Sequence, residues 1–490
     1  MKIKNGLVFF ILLSIIISGV FTNFGCANIV PPLGGPRDTL PPRLVSAVPA
    51  DFSRQFKTPQ FKSPKIVFTF DEYIDLKEVR ENLIVSPVPK IEPIVESKLR
   101  TITVRLKDTL QDNTTYSLNF GKAVRDINEG NILKNFTYVF STGDYIDSAE
   151  FSGTVIVANT GKADSSLIVL LHRKMTDSAV VNDRPRYFTR VDTSGRFHFK
   201  YLQPGTYALY AMKDEGGTHR YLSKGQLFAF ADSPVVIRQS TPPVNLYAYT
   251  EALETKSSSK TSGGASKGAP AKTSDKEKEK DKEKDKRLQF QTNITNGEFD
   301  VLDTLHLQFQ RPLKIFDSTK LRFTDENFVD ISPSDYLIQR DSTNKKFNLY
   351  YNWPTDTKFY LIAAKNFAED SAGRKLLKID TIGFHTKKDI DYGEVRIRIR
   401  NLDLSKNPVL QFVQNDAVKY AFPFVNTKEF RRILFPPGEY ELRILYDDNK
   451  NGIWDPGEFF NKHRQPEKVT TLRKKLTVKA NWDNDQDVTL

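Results

Sequence analysis

Apolar and polar residues alternate in short runs along most of the chain after residue 64, and Pro, Gly, Asn or Asp closes each run. Lys65-Ile66-Val67-Phe68-Thr69-Phe70, Thr101-Ile102-Thr103-Val104-Arg105-Leu106 and Tyr116-Ser117-Leu118-Asn119-Phe120 follow this period. Asn135-Phe136-Thr137-Tyr138-Val139-Phe140 ends the first set. A period of two puts one row of side chains on one sheet face, so short strands between turn residues predict an antiparallel β-sandwich. A second set runs from Phe151-Ser152-Gly153-Thr154-Val155 through Gly195-Arg196-Phe197-His198-Phe199 to Thr206-Tyr207-Ala208-Leu209-Tyr210-Ala211. Pro204-Gly205 separates the last two runs, and because Pro fixes φ while Gly accepts φ > 0, the pair predicts a hairpin.

Both sets recur. Trp353-Pro354-Thr355-Asp356-Thr357-Lys358-Phe359-Tyr360-Leu361 echoes residues 110–118, Glu369-Asp370 echoes Arg125-Asp126, and Phe384-His385-Thr386 echoes Phe140-Ser141-Thr142. Phe435-Pro436-Pro437-Gly438-Glu439-Tyr440-Glu441-Leu442 sets beside residues 202–209 without a gap, and the same register puts Asp447 opposite Asp214. Between the repeats, residues 256–272 are mostly Ser, Gly, Ala and Lys, and residues 275–286 alternate acid and lysine. On a helix that alternation would set like charges four apart, so a solvated, disordered linker over 251–287 is expected. The predicted fold class is all-β: a multi-domain chain in the order A-B-linker-A-B, with A modules at 38–143 and 288–387 and B modules at 150–250 and 388–490. Cleavage of the linker should then give two halves of two modules each.

The run Asp38-Thr39-Leu40-Pro41-Pro42-Arg43-Leu44-Val45-Ser46-Ala47-Val48-Pro49-Ala50-Asp51 resembles the opening of bacterial Ig-like domains of the surface-layer (SbsA) type. Residues 66–71 and 113–118, Arg125-Asp126-Ile127-Asn128 and Phe140-Ser141-Thr142 continue that pattern to about residue 143. The B modules resemble the small prealbumin-like sandwiches called carboxypeptidase-regulatory-like domains. These resemblances imply structural or binding units with no shared catalytic residues.

The first 26 residues read differently. Lys2 and Lys4 precede an apolar stretch from Leu7 to Ile17, broken only by Ser14, and Ser18, Gly19 and Asn23-Phe24-Gly25-Cys26 follow. Charge, length and small-residue ending predict a secretory signal over 1–25. An uncleaved anchor would need about 20 apolar residues, more than this run supplies. Gly25-Cys26 resembles the lipobox of bacterial lipoproteins, although Asn23 departs from the aliphatic residue usual at its place. That resemblance implies acylation of Cys26, and Ala27 rather than Asp after it fits sorting to the outer membrane, on either of its faces. The Pro/Gly-rich stretch 26–37 reads as a tether.

Charge and composition change the picture little. The 72 basic and 60 acidic residues leave +12, but no nucleic-acid-binding motif accompanies it, so a mixed solvated surface and no nucleic-acid partner are expected. With one cysteine there is no intrachain disulfide, and the 35 Phe and 19 Tyr must supply apolar cores.

Candidate chemistry centres on Asp447-Asp448-Asn449-Lys450-Asn451-Gly452-Ile453-Trp454-Asp455-Pro456-Gly457-Glu458. Side-chain oxygens of Asp447, Asn449, Asn451, Asp455 and Glu458, with the Ile453 carbonyl, satisfy the formula of a calcium loop, and Gly452 permits its sharp turn. The flanks are wrong for an EF-hand, since an alternating strand enters and Pro456-Gly457 bars a regular exiting helix. Two readings therefore stand: a lone strand-loop Ca2+ site, or an Asx-rich turn whose side chains bond their own backbone. The six histidines, His172, His198, His219, His306, His385 and His463, lack metal-ligand spacing. Asp71, Glu72 and Asp75 follow a core strand and read as a strand-end turn, and no nucleophile elbow or phosphate loop occurs. Arg396, Arg398 and Arg400 alternate with Val395, Ile397 and Ile399, giving one basic strand face that is either solvated or open to a phosphate. The function expected is a non-catalytic lipid-anchored scaffold or binding subunit at the outer membrane. It would be attached to the membrane by its N-terminal lipid and would serve other envelope proteins, as an accessory to an assembly or secretion machine. The alternative is a calcium-dependent adhesin or glycan-binding surface lipoprotein.

Overall fold

A computed structural model describes residues 37–56, 64–251 and 287–490. The signal segment, Cys26, nearly all of the tether and nearly all of the linker lie outside the described residues. Strands dominate, and they fall into two compact units, one holding the first module to Ile146 save residues 86–88, the other holding those three and the rest.

In the first unit, Leu44–Val48, Lys65–Phe70, Thr101–Arg105 and Ile94–Lys98 lie side by side in that order. Ile84–Ser86, Thr115–Asn119 and Thr137–Ser141 form the second sheet. The period of two does what it predicts: Ile66, Phe68 and Phe70 turn inward, where Phe68 meets Phe120 and Tyr138 edge-on at 5.8 and 5.0 Å. Such aromatic pairs add about 0.5–1.5 kcal/mol each beyond the area they bury. The loop after Val124–Asp126 is organised by one buried carboxylate. Asp126 accepts from the backbone N–H of Glu129, Gly130 and Asn131 at 2.6, 2.9 and 2.7 Å. Burial pushes this carboxyl up, but the N–H groups of Gly130, Glu129, Asn131 and Asn128 outweigh it and hold it below its ordinary value.

The third module repeats the two-sheet plan of the first, with a fourth strand in its second sheet. Its sheets run Phe290–Thr292, Leu305–Phe309, Lys346–Tyr351, Tyr336–Arg340 and Glu298–Phe299, Asp380–Thr386, Lys358–Ala363, Leu321–Thr324. The likeness reaches single atoms. Thr142 Oγ1 accepts from Thr114 N at 3.0 Å and donates to the Gln111 carbonyl at 2.7 Å. Thr386 does the same with Thr357 N and the Pro354 carbonyl, at the same two distances. Asp370 takes the place of Asp126, accepting from Ala372 N and Arg374 N.

The second and fourth modules share another topology. Ala149–Val157 sits between Arg196–Leu202, antiparallel, and Val244–Ala248, parallel; Gly393–Arg400 sits likewise between Glu429–Phe435 and Asp483–Thr489. The opposing sheets are Tyr187–Arg190, Leu167–His172, Gly205–Lys213, Phe228–Phe230 and Ala417–Pro423, Pro408–Gln414, Gly438–Tyr446, Lys468–Thr471.

This topology corrects the predicted hairpin. The strands flanking Pro204-Gly205 belong to opposite sheets, as do those flanking Pro437-Gly438, so each Pro-Gly turns a corner across the sandwich. Gly205 and Gly438 take φ of 155° and 150°, and Tyr207 and Tyr440 each donate their hydroxyl back to the carbonyl four residues earlier, at 2.9 and 3.1 Å. Turn residues report a change of direction but not the pairing partner, which cross-sheet burial selects.

Candidate functional site

The candidate loop begins where Gly438–Tyr446 delivers Asp447 into a buried position. Asp447 Oδ1 accepts from Asn451 N at 3.2 Å and Oδ2 from Gly452 N at 2.7 Å, while Gly452 takes φ 79°, the conformation the turn requires. Asn449 Oδ1 accepts from Asn451 N and Asn451 Oδ1 from Ile453 N. Both amide groups then donate to one oxygen, Asp455 Oδ2, each at 2.7 Å. Asp447, Asn449, Asn451 and Asp455 are thus brought together. Glu458 is not part of this network; it pairs with Lys462 at 2.9 Å, and that ammonium holds its carboxyl below the ordinary value. Among the described residues, no group of three His, Cys, Asp or Glu side chains is arranged to hold a metal.

A carboxylate that the spacing did not reveal anchors the loop instead. Glu467, buried, accepts from Asp448 N and Asp455 N, each at 2.9 Å, and its carbonyl accepts from Trp454 Nε1 at 2.8 Å. Burial first, then the charges of Asp447 and Asp455, push the Glu467 carboxyl up against the opposing pull of the two N–H groups. Its distance along the chain hides it: nothing in a twelve-residue formula points to a residue beyond its end.

The equivalent Asp214 makes the same two backbone bonds, accepting from Thr218 N at 3.1 Å and His219 N at 3.0 Å, residues i+4 and i+5 as in the fourth module. The Asx turn is therefore common to both B modules, and only the Asn449–Asn451–Asp455 network is particular to one.

From this loop the chain continues onto the second module. Phe459, 1% exposed, packs on Phe230, Phe228 and Tyr210 at 5.0, 5.1 and 5.6 Å between centroids. Phe460 stacks on Tyr221, and His463 Nε2 meets Asp177 Oδ2 at 2.8 Å. Gln465 Nε2 donates to the Phe230 carbonyl at 3.0 Å and to Asp232 Oδ1 at 2.8 Å. Edge contacts extend the seam: Val469 N donates to the Ala158 carbonyl at 2.9 Å, Thr471 Oγ1 to the Thr160 carbonyl, and Lys162 pairs with Glu441 at 2.8 Å. A Cβ on Gly161 would lie 2.6 Å from the Val469 carbonyl, so the approach requires glycine there. Leu167–His172 is buried at every position, as a strand covered on both faces must be. It also replaces the expected two-and-two division, because the second module is packed against the fourth.

The remaining candidates resolve as structure. Asp71 accepts from Arg43 N at 2.7 Å, fixing the entering chain. Burial pushes His172 down to about 4, so it stays neutral beside Tyr210. Arg396 pairs with Glu429, Arg398 with Asp485 and Asp487 at 2.8 and 2.7 Å, and Arg400 with Asp487 at 3.7 Å. The predicted basic face is thus a ladder of opposite charges, because neighbouring strands place carboxylates across from each guanidinium, and the phosphate reading is withdrawn.

Residues 38–142 match the family model described as Bacterial Ig-like domain. No curated protein matches the sequence. Among solved structures, the Bacillus anthracis TIE protein is 10% identical, with 93% of this chain and 75% of that one covered at a TM-score of 0.16. BcpA, the major pilin subunit of Bacillus cereus, is 7% identical over 70% and 99% at 0.17. The N-terminal part of the bacterial S-layer protein SbsC is 16% identical over 41% and 42% at 0.15. At these scores the likenesses carry nothing about what this chain does.

Proposed function

We propose that this chain is a non-catalytic, lipid-anchored protein of the cell envelope, acting as a scaffold or binding subunit at the outer membrane, accessory to an assembly or secretion machine. The observation that supports it most is the seam. Phe459, His463, Gln465 and Val469 commit one sandwich to another in the same chain, which favours a braced spacer over modules on independent tethers. Among the described residues, the buried carboxylates of Asp126, Asp370, Asp447 and Glu467 are engaged in holding loops. A lipid at Cys26 would place this brace at a membrane. The test is co-purification from detergent-solubilised membranes through a C-terminal tag. A stoichiometric integral outer-membrane protein, retained through washing, is the expected result; recovery of the chain alone would remove the scaffold reading.

A second reading, calcium binding, is favoured by the convergence of Asn449 and Asn451 on Asp455 Oδ2. Rotation of the two terminal amides would exchange nitrogen for oxygen and aim further hard donors at the same point, at the cost of the bonds their oxygens now accept from Asn451 N and Ile453 N. Glu458 would have to leave Lys462 to complete the predicted set. A ligand bound only to the folded state, at a hundredfold excess over its Kd, stabilises by about 2.7 kcal/mol. The lipid-free chain should then melt higher in millimolar calcium than in chelator, with Asp455→Ala abolishing the difference. Identical melting of the unmutated chain would leave the loop an Asx turn.

A further inference from the structure

The third module holds a cleft of about 720 Å3 on the open side of its sandwich, between the terminal strands Leu321–Thr324 and Tyr336–Arg340 of its two sheets. Its apolar lining includes Leu321, Phe323 and Phe347, with Phe316 stacked on Phe347 at 4.2 Å and Tyr336 edge-on to Phe323 at 5.5 Å. That volume lies within the roughly 300–1,000 Å3 typical of ligand sites. Tyr336, Ile338 and Arg340 alternate along one face of their strand and all line the cleft.

Two features say what would occupy it. Tyr336–Arg340 ends its sheet, pairing only with Lys346–Tyr351, so one row of its backbone N–H and C=O groups faces away from any neighbouring strand. Such an edge is a template for another extended chain. The second feature is charge. Across the cleft Arg322 is neutralised by Asp330 at 2.8 Å, whereas Arg340 pairs with no acidic side chain among the described residues. A guanidinium at the rim of an apolar cleft selects a carboxylate beside an apolar group.

We propose that this cleft receives an extended segment of a partner protein carrying an apolar and an acidic residue two positions apart, and so on one face. The segment adds as a strand to Tyr336–Arg340, placing an apolar side chain over Phe323 and Phe347 and a carboxylate on Arg340. This rests on the binding-subunit reading and names the chemistry of its partner. Strand addition draws affinity from main-chain hydrogen bonds and specificity from alternate side chains, so the two contributions separate experimentally.

The probe is a fluorescein-labelled ten-residue peptide in which every second residue is threonine and the positions between are valine and aspartate in turn, so that valine and aspartate share one face, titrated by anisotropy into the purified lipid-free chain. Saturable binding is expected, weakened about tenfold or more by Arg340→Glu, on the scale of one lost charge pair. Arg340 is exposed, so the variant should fold, and an unchanged melting temperature would check this. The same peptide methylated at alternate backbone nitrogens should not bind, and the peptide with lysine in place of each aspartate should bind about tenfold more weakly. No saturable binding, or binding indifferent to both Arg340→Glu and N-methylation, overturns the proposal. Displacement of the peptide by decanoate, with no effect of N-methylation, would also overturn it by assigning the cleft to a small amphiphile. No membrane enters the titration, so its failure removes the cleft alone, whereas failed co-purification removes the scaffold reading.

Discussion

Replacing Phe459 with alanine should separate the fourth module from the second. The ring is 1% exposed and lies against Phe228, Phe230 and Tyr210, so its removal leaves a cavity that these rings, set in a five-stranded sheet, cannot close. Truncating a buried Phe costs about 3–5 kcal/mol, comparable to a weak intramolecular docking. The remaining contacts are the Phe460 stack on Tyr221, the ion pairs of His463 with Asp177 and Lys162 with Glu441, each at 2.8 Å, and the hydrogen bonds of Gln465, Val469 and Thr471. Partly exposed ion pairs contribute at most about 1 kcal/mol each. With a site-specific protease sequence placed between residues 256 and 272, the cleaved wild-type fragments should elute as one species on size exclusion, and the cleaved Phe459→Ala fragments as two. Co-elution of the cleaved variant would show that the aromatic plug is not what holds the seam.

Cys26→Ser should abolish acylation altogether. The thiol is the only one in the chain, so no second cysteine can substitute, and serine offers no thiolate for lipid transfer. A myristoyl-length chain alone gives only marginal membrane binding, and stable anchoring takes two chains or a second signal. If Cys26 carries the proposed lipid, the variant should leave the membrane pellet for the soluble fraction or accumulate as a slower-migrating precursor. Metabolic labelling with a clickable fatty acid reads the first effect, and fractionation reads the second. Labelling of the variant equal to wild type would disprove lipidation at this residue.

These two predictions rest on different kinds of information. The N-terminal reading rests on a linear pattern of charge, apolar length and small residue, and no fold is needed to make it. The strands were legible for a related reason. Ile66, Phe68 and Phe70 alternate because a pleated strand sends neighbouring side chains to opposite faces, and that is a local property. Repetition was legible too, since the Thr142 and Thr386 contacts or the Tyr207 and Tyr440 corners recur wherever the same short motif recurs.

What tertiary structure decided is which distant faces meet. Pro204-Gly205 announced a turn, but only the buried faces of two sheets determined that it crosses the sandwich. Arg396, Arg398 and Arg400 looked like a basic stripe until Glu429, Asp485 and Asp487 arrived on adjoining strands. Glu467 anchors a loop whose formula ends at Glu458, and no sequence pattern singled out Phe459 and Phe460, which pack against the second module. Local periodicity is written into the chain because each residue's geometry depends on its neighbours. The seam, the ladder and the cleft depend on residues brought together from far apart in sequence, and their energy exists only once those surfaces exclude water from one another.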